Sequence, residues 1–162
     1  FGCAVITGAG AVINTAKVPP GTTAAIVGLG GVGLMSMLGA KLSGCRQIVA
    51  IDMLDDKLKL AKQLGATHTV NARDPNVVEH VKDLTGGGVD FAFEMASSIK
   101  ALELAYKITK RGGTTVTASL PHPTHTMALP GTHLVAEERT VKGSYVGSCI
   151  SSRDIPPFIS LY

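Results

Sequence analysis

The apolar positions of this 162-residue chain fall into short runs separated by stretches with helical spacing. Runs at 23–27, 47–51, 68–70, 89–93, 114–118 and 139–146 read as six strands. Four helices alternate with the first five strands. The first spans Gly31 to Ser43, with Val32, Met35, Leu38 and Leu42 as its apolar face. The second runs from Lys57 to Leu64, with Asp55 and Asp56 suited to its first turn and Gly65 as terminator. The third covers 76–84, with Pro75 in its first turn and Val77, Val78, Val81 and Leu84 facing inward, before Thr85-Gly86-Gly87-Gly88 breaks it. Ser97 or Ser98 caps the fourth, whose apolar face includes Ile99, Leu102, Ala105 and Tyr106. Arg111-Gly112-Gly113 turns into the fifth strand.

At the N-terminal end, residues 4–17 read as a further helix carrying Val5, Val12 and Ile13. Close packing against another element explains Gly8 and Gly10, and Val18-Pro19-Pro20-Gly21 ends the segment. Residues 119–131 are loop, with a short helical piece around 132–136. Ser152 caps a final helix, with Pro156 and Pro157 in its first turn. Strands alternating with helices predict an α/β fold: a Rossmann-type doubly wound, six-stranded parallel sheet in order 3-2-1-4-5-6, with helices on both faces. A ligand belongs at the carboxyl ends of strands one and four, where the order reverses.

The first strand-to-helix turn carries candidate chemistry. Thr23-Ala24-Ala25-Ile26-Val27 leads into Gly28-Leu29-Gly30-Gly31-Val32-Gly33, and 19 residues past Gly33 the second strand ends at Asp52. This is the fingerprint of a dinucleotide-binding unit. Gly28 permits the tight turn, Gly30 lets backbone approach a pyrophosphate, and Gly33 lets helix pack on strand. The helix start, Gly31 onward, points free N–H groups and a positive dipole end at phosphates. Asp52 accepts hydrogen bonds from adenosine ribose hydroxyls, and its charge opposes a 2′-phosphate, so NAD is favoured over NADP. The alternatives are an ordinary glycine turn and a helix-initiating surface acid.

Composition changes this picture little. The hydrophobic fraction is 45% and the charged fraction 17%, as suits a sheet covered on both faces. The net charge of +3 is scattered, so nucleic acid is not the expected partner. No apolar run reaches membrane-spanning length and no signal peptide is visible. Three cysteines without a CxxC (Cys3, Cys45, Cys149) argue against a disulfide framework and point to a cytoplasmic setting. The chain begins at Phe1 and ends at Leu161-Tyr162 in apparent mid-helix, which reads as a domain cut from a longer protein.

The glycine fingerprint, Val49-Ala50-Ile51-Asp52, Lys57, Ala61-Lys62-Gln63-Leu64-Gly65-Ala66-Thr67, Gly87 to Glu94, Val141-Lys142-Gly143-Ser144, and Gly2-Cys3 with Thr7 together resemble the medium-chain, zinc-dependent alcohol dehydrogenases. The resemblance covers the whole chain but only that family's coenzyme domain. It implies a linking helix over 1–20, a dinucleotide-binding domain over 21–150, and the start of a truncated helix over 151–162. It implies Cys3 as a ligand of catalytic zinc in the full-length protein, and Thr7 and Val32 against the nicotinamide ring. It further implies Lys57 on the adenosine side and the backbone of Ala118, Leu120 and Val146 at the carboxamide end. Ser119 stands where a glycine is common, a departure in the Leu120-Pro121-His122-Pro123 loop. The implied activity is hydride transfer between an alcohol or aldehyde and NAD, in a homodimer or higher homo-oligomer joined by sheet edges.

Plainer readings stand beside these. A lone cysteine near a helix start is usually a small buried hydrophobe, although a helix N-terminus also favours the thiolate that binds zinc. Cys45 and Cys149 read as structural thiols. Lys57 can be a solvated helix lysine. His122, His125 and His133 match no standard zinc spacing and read as a solvated loop. Glu94, ending the fourth strand, reads as a structural hydrogen-bonding group ahead of an acid/base group. Two other functions share parts of the pattern: an S-adenosylmethionine-dependent methyltransferase, and a non-catalytic module that senses NAD.

Overall fold

In the computed structural model, residues 2–160 are described. The expectation that Leu161-Tyr162 continue a helix lies outside them. Six strands form one sheet: β1 (Thr23–Val27), β2 (Gln47–Asp52), β3 (His68–Asn71), β4 (Val89–Glu94), β5 (Thr109–Thr117) and β6 (Thr140–Gly143). Their order is β3-β2-β1-β4-β5-β6, and every neighbouring pair is parallel. The expected fold is therefore the observed one. The helices are α1 (Gly2–Gly10), α2 (Gly31–Leu42), α3 (Asp55–Leu64), α4 (Val77–Thr85), α5 (Ile99–Ile108), α6 (Gly131–Ala136) and α7 (Ser151–Ser160).

The sheet is central because β1 is buried at all five positions. Ala24 and Ile26 join Ile48, Ala50 and Phe93 in one core layer, while Ala25 and Val27 join Val49, Ile51 and Ala92 in the other. The period-two alternation thus feeds two apolar layers rather than one apolar and one wet face. Burying a side chain such as Ile26 or Ile48 contributes about 1.5–3 kcal/mol.

Four local expectations need correction. First, α2 buries Gly33, Ser36, Met37, Gly39 and Ala40, whereas Leu42 is exposed. Small residues face inward because neighbouring backbone is close: a Cβ on Gly39 would lie 3.2 Å from Ala9 Cα. Val32 and Leu38 pack against the core as expected and Met35 against Val5 and Phe158, while Met35, Leu38 and Leu42 also border an apolar groove with Ile13. Second, β5 starts at Thr109, not Thr114. Its register with β4 jumps from Val89–Thr109 to Phe91–Thr114, so the Arg111-Gly112-Gly113 turn is a bulge inside the strand, with Gly112 at φ 72°. Third, β6 stops at Gly143, because Val146, Gly147 and Ser148 have left-handed φ of 49°, 64° and 50°. Fourth, α7 starts at Ser151, which puts Pro156 and Pro157 inside it rather than in the first turn. Asp154 Oδ2 accepts from Ile150 N at 2.8 Å and ties down that earlier start.

The N-terminal segment also splits. After α1 the chain widens into a π-helical stretch, Ala11–Ala16, that ends at Lys17 in the left-handed region. The packing expected of Gly8 and Gly10 is present. A Cβ on Gly8 would lie 2.3 Å from Val32 O, and one on Gly10 would lie 2.5 Å from Gly147 O.

Candidate functional site

The glycine turn leaves β1 and enters α2. Gly28 has φ 95°, and a Cβ there would meet Ala96 at 2.8 Å. At Gly33 a Cβ would fall 1.8 Å from Gly28 O, so only glycine lets α2 sit this close to the turn. Gly30 differs, because a Cβ there would meet nothing within 4 Å. No protein atom requires glycine at position 30, and the space beside it is open to a ligand.

Gly30 is the N-cap of α2 and provides no side-chain cap. The first helical bond runs from Leu34 N to Gly30 O at 2.9 Å, which leaves the first-turn N–H groups without intrahelical partners. Those groups and the helix dipole suit an anion. Across the turn, Asp52 Oδ2 accepts from Leu29 N at 2.8 Å and Oδ1 accepts from Leu54 N at 3.0 Å. The carboxylate is therefore held at the tip of β2, and each oxygen keeps a lone pair for a further donor.

A cleft of about 580 Å³ opens at the carboxyl ends of the central strands. Gly28 and Asp52 form one wall, Ala72, Val77 and Val78 a second, and Ala96, Ala101 and Leu104 a third. It is mostly apolar, with Asp52, Lys100, Glu103 and Lys107 as the charged residues of its lining, which suits a flat aromatic group attached to a polyol. Residues after β1 and β4 line it, at the point where the strand order reverses.

The other candidate residues lie on α1, at the start of α2 and in the segments after β5 and β6, outside the lining of that cleft. Cys3 is exposed on α1, with Sγ 3.9 Å from the Oγ1 of buried Thr7 one turn later. Through the Gly8 contact, α1 lies directly on α2 at Val32. Ala118 N donates to Glu94 O at 3.2 Å. Glu94 is 1% exposed, and its carboxylate accepts from Ala96 N at 2.6 Å, Thr117 Oγ1 at 2.7 Å and Ser119 Oγ at 2.5 Å. It thus binds the ends of β4 and β5 together as a structural acceptor, and Ser119 supplies a hydroxyl to it. Val146 sits where the turn after β6 meets α1.

Two candidates stand apart. Lys57 is half-buried in the first turn of α3, and its ammonium has no hydrogen bond or ion pair among the described residues. Leu120 is exposed in the loop after β5. His122 bonds Thr124 and stacks near His125, and His133 lies on α6. Among the described residues no group of three or more His, Cys, Asp or Glu could hold a metal ion. Burial pushes the Cys45 and Cys149 thiols up, as befits structural cysteines, and the Asp154 carboxylate adds to the effect at Cys149.

Sequence reasoning missed a second polar network. Buried Thr15 joins Ser144 and Ser148, each at 2.7 Å. Asn14 Nδ2 donates to Cys149 Sγ at 3.3 Å and to Asp154 Oδ2 at 3.3 Å. These partners lie far apart in the chain, with no local spacing to flag them.

Residues 31–162 match the family described as zinc-binding dehydrogenase. Alcohol dehydrogenase 6 of Rattus norvegicus is 40% identical over 166 residues, covering 100% of this chain and 44% of the relative. The structure of benzyl alcohol dehydrogenase from Acinetobacter calcoaceticus superposes with a TM-score of 0.96 at 36% identity, covering 99% of this chain and 44% of that one. A Sinorhizobium meliloti 1021 protein assigned to the zinc-binding dehydrogenases, solved bound to NADP, gives a TM-score of 0.83 at 27% identity, covering 88% and 42%. The chain spans less than half the length of these relatives.

Proposed function

Because the chain belongs to the zinc-binding dehydrogenase family over residues 31–162, we propose that it is the coenzyme-binding part of a zinc-type alcohol dehydrogenase. The reaction is hydride transfer between a small alcohol or aldehyde and NAD. One observation carries the coenzyme assignment. A Cβ at Gly30 would meet no protein atom within 4 Å, yet this residue opens α2, whose first-turn N–H groups are free, and directly follows Leu29, whose N–H anchors the Asp52 carboxylate.

The residues present fit the coenzyme. The α2 N-terminus, from Gly30 to Gly33, would hold the pyrophosphate, and Asp52 the adenosine ribose. The apolar cleft between α4 and α5 would take the adenine. Lys57 would add charge on the adenosine side. Thr7 and Val32 would back the nicotinamide, and the main chain of Ala118, Leu120 and Val146 would meet its carboxamide. When bound, NAD supplies a ring that accepts or returns hydride. The work of this chain is to fix the orientation of that ring, which lowers the entropic cost of bringing two reactants together.

Zinc does not fit this chain alone, because Cys3 is a single thiolate donor and a structural or catalytic site needs at least three protein ligands. In the longer protein we assign Cys3 one ligand position and derive no step from it here. The Asp52 carboxylate supports NAD over NADP for this chain, whereas the Sinorhizobium meliloti relative was solved bound to NADP. The comparisons are to dehydrogenases and lend the methyltransferase reading no support.

No described helix is long and apolar enough to cross a membrane, and all three cysteines are free, which supports a cytoplasmic protein. The strand β6 is exposed along its whole length at the sheet edge, which supports a homodimer joined there about a two-fold axis. Calorimetric titration with NADH, NADPH and S-adenosylmethionine tests the proposal. NADH should bind most tightly, and equal or tighter binding of either competitor would overturn the ligand assignment.

A further inference from the structure

The turn after β6 is bent into a conformation that side chains resist. Val146, Gly147 and Ser148 have consecutive left-handed φ values of 49°, 64° and 50°. A β-branched residue at such a φ is a true outlier and persists only where its surroundings over-determine it. Here they do so from three sides. Gly147 is pressed against α1, where a Cβ would lie 1.9 Å from Ile6 O. Ser144 N donates to Thr117 O at 2.8 Å, tying the turn to the end of β5. Thr15, 4% exposed, bridges Ser144 Oγ and Ser148 Oγ at 2.7 Å each, so one hydroxyl spans both ends of the bend.

Thr15 reaches this position from the π-helical stretch, a form rare in proteins and enriched at functional sites. Lys142 Nζ donates to the Thr15 carbonyl at 2.9 Å, which anchors the stretch to β6 itself. A hydroxyl has one proton and two acceptor lone pairs, so Thr15 can serve both serines at once.

We propose that Thr15 is a positioning residue for the carboxamide end of the coenzyme: its hydroxyl holds the left-handed 146–148 turn and thereby the main chain of Val146. This rests on the coenzyme reading above. Thr15 touches no coenzyme atom and acts only through the turn. Its effect is therefore confined to ligands that carry the nicotinamide.

The test compares NADH with ADP-ribose, which lacks that ring, by titration calorimetry on the full chain. Thr15→Val keeps the shape and removes the hydroxyl. NADH affinity should fall about tenfold while ADP-ribose affinity stays unchanged, and Thr15→Ser should retain full NADH affinity. Ser148→Ala removes an exposed partner and should cost NADH about threefold, which gives an answer even if Thr15→Val folds poorly. Unchanged NADH affinity in Thr15→Val, or in Ser148→Ala where Thr15→Val does not fold, or equal losses for NADH and ADP-ribose, overturns the proposal. Failure of the unaltered chain to bind either ligand overturns the coenzyme reading, and the proposal with it.

Discussion

Gly28, Gly30 and Gly33 shape one end of the candidate site, the turn after β1, by the side chains they lack, whereas Thr15, Glu94 and Ser144 brace the other, the segments after β4, β5 and β6, by the hydrogen bonds they make. The glycine end is local, made within six consecutive residues and anchored from outside by Asp52 through Leu29 N. The hydroxyl end is assembled at long range: Thr15 and Ser144 are 129 positions apart, and Glu94 and Ser119 are 25 apart. The first kind of site fails through added atoms, the second through removed ones. Backbone cannot retreat from a new Cβ, while a network that loses one hydroxyl keeps its remaining bonds.

The largest expected effect is at Gly33. A Cβ only 1.8 Å from Gly28 O forces backbone apart, so Gly33→Ala should cost on the order of 3 kcal/mol or more in denaturant unfolding. A loss near zero would break the contrast between the two ends. Gly30→Val sharpens it, because open space surrounds that position. Stability should change by about 1 kcal/mol or less, while NADH affinity drops about a hundredfold, read by titrating a variant whose melting curve is nearly unmoved. If fold and binding fall together, position 30 is a packing glycine after all.

Next comes Asp52→Asn, which keeps an acceptor for Leu29 N but removes the charge. The preference for NADH over NADPH should shrink about tenfold in parallel titrations, since the like-charge conflict with a 2′-phosphate is gone.

The smallest effect is expected far from the cleft, where Asp90 forms a side-chain network with no site attached. It accepts from Thr23 N at 2.8 Å and Thr23 Oγ1 at 3.0 Å, and pairs with Lys110. Burial raises its pKa, but the Lys110 and Thr23 contacts outweigh that and hold its carboxyl below the ordinary range. A lowered folded-state value stabilises the fold above the normal carboxylate pKa and is lost as pH falls through the folded value. Asp90→Asn should cost about 0.5–1 kcal/mol at neutral pH, with the gap from the unaltered chain closing in acid below about pH 4. A gap that persists undiminished in acid would show that charge at Asp90 is irrelevant.

The sheet order and the phosphate turn were legible because their causes are local. Strand runs, glycine spacing and an acid at the end of β2 are all written in consecutive residues. Glu94 was legible as a structural acceptor but not by its partners. The inward face of α2 was only partly legible, for a physical reason. Hydrophobic spacing picks Val32, Met35, Leu38 and Leu42, of which all but Leu42 pack on apolar clusters, yet the fully buried positions are Met37 and the small residues Gly33, Ser36, Gly39 and Ala40, where neighbouring backbone comes close. The end of β6 was overrun because Val146 and Tyr145 favour a strand by composition. Contacts with α1 and the Thr15 hydroxyl, distant in sequence, impose the left-handed turn instead. Thr15 itself carried no local signal.

The crossing of α1 over α2 at Gly8 has a metrological side. A side-chain contact behaves as a spring, since rotamers yield by a few tenths of an ångström. At this crossing, however, the Gly8 main chain meets the Val32 carbonyl with no side chain between, and Ser36 Oγ donates to Gly8 O at 3.1 Å. The helix rises about 1.5 Å per residue, which places Cys3 about 7.5 Å along the axis from that fixed point. The main chain of Cys3, Thr7 and Val32 is thus dimensioned from a single datum, and no flexible side chain enters between the Cys3 backbone and the phosphate turn at that crossing.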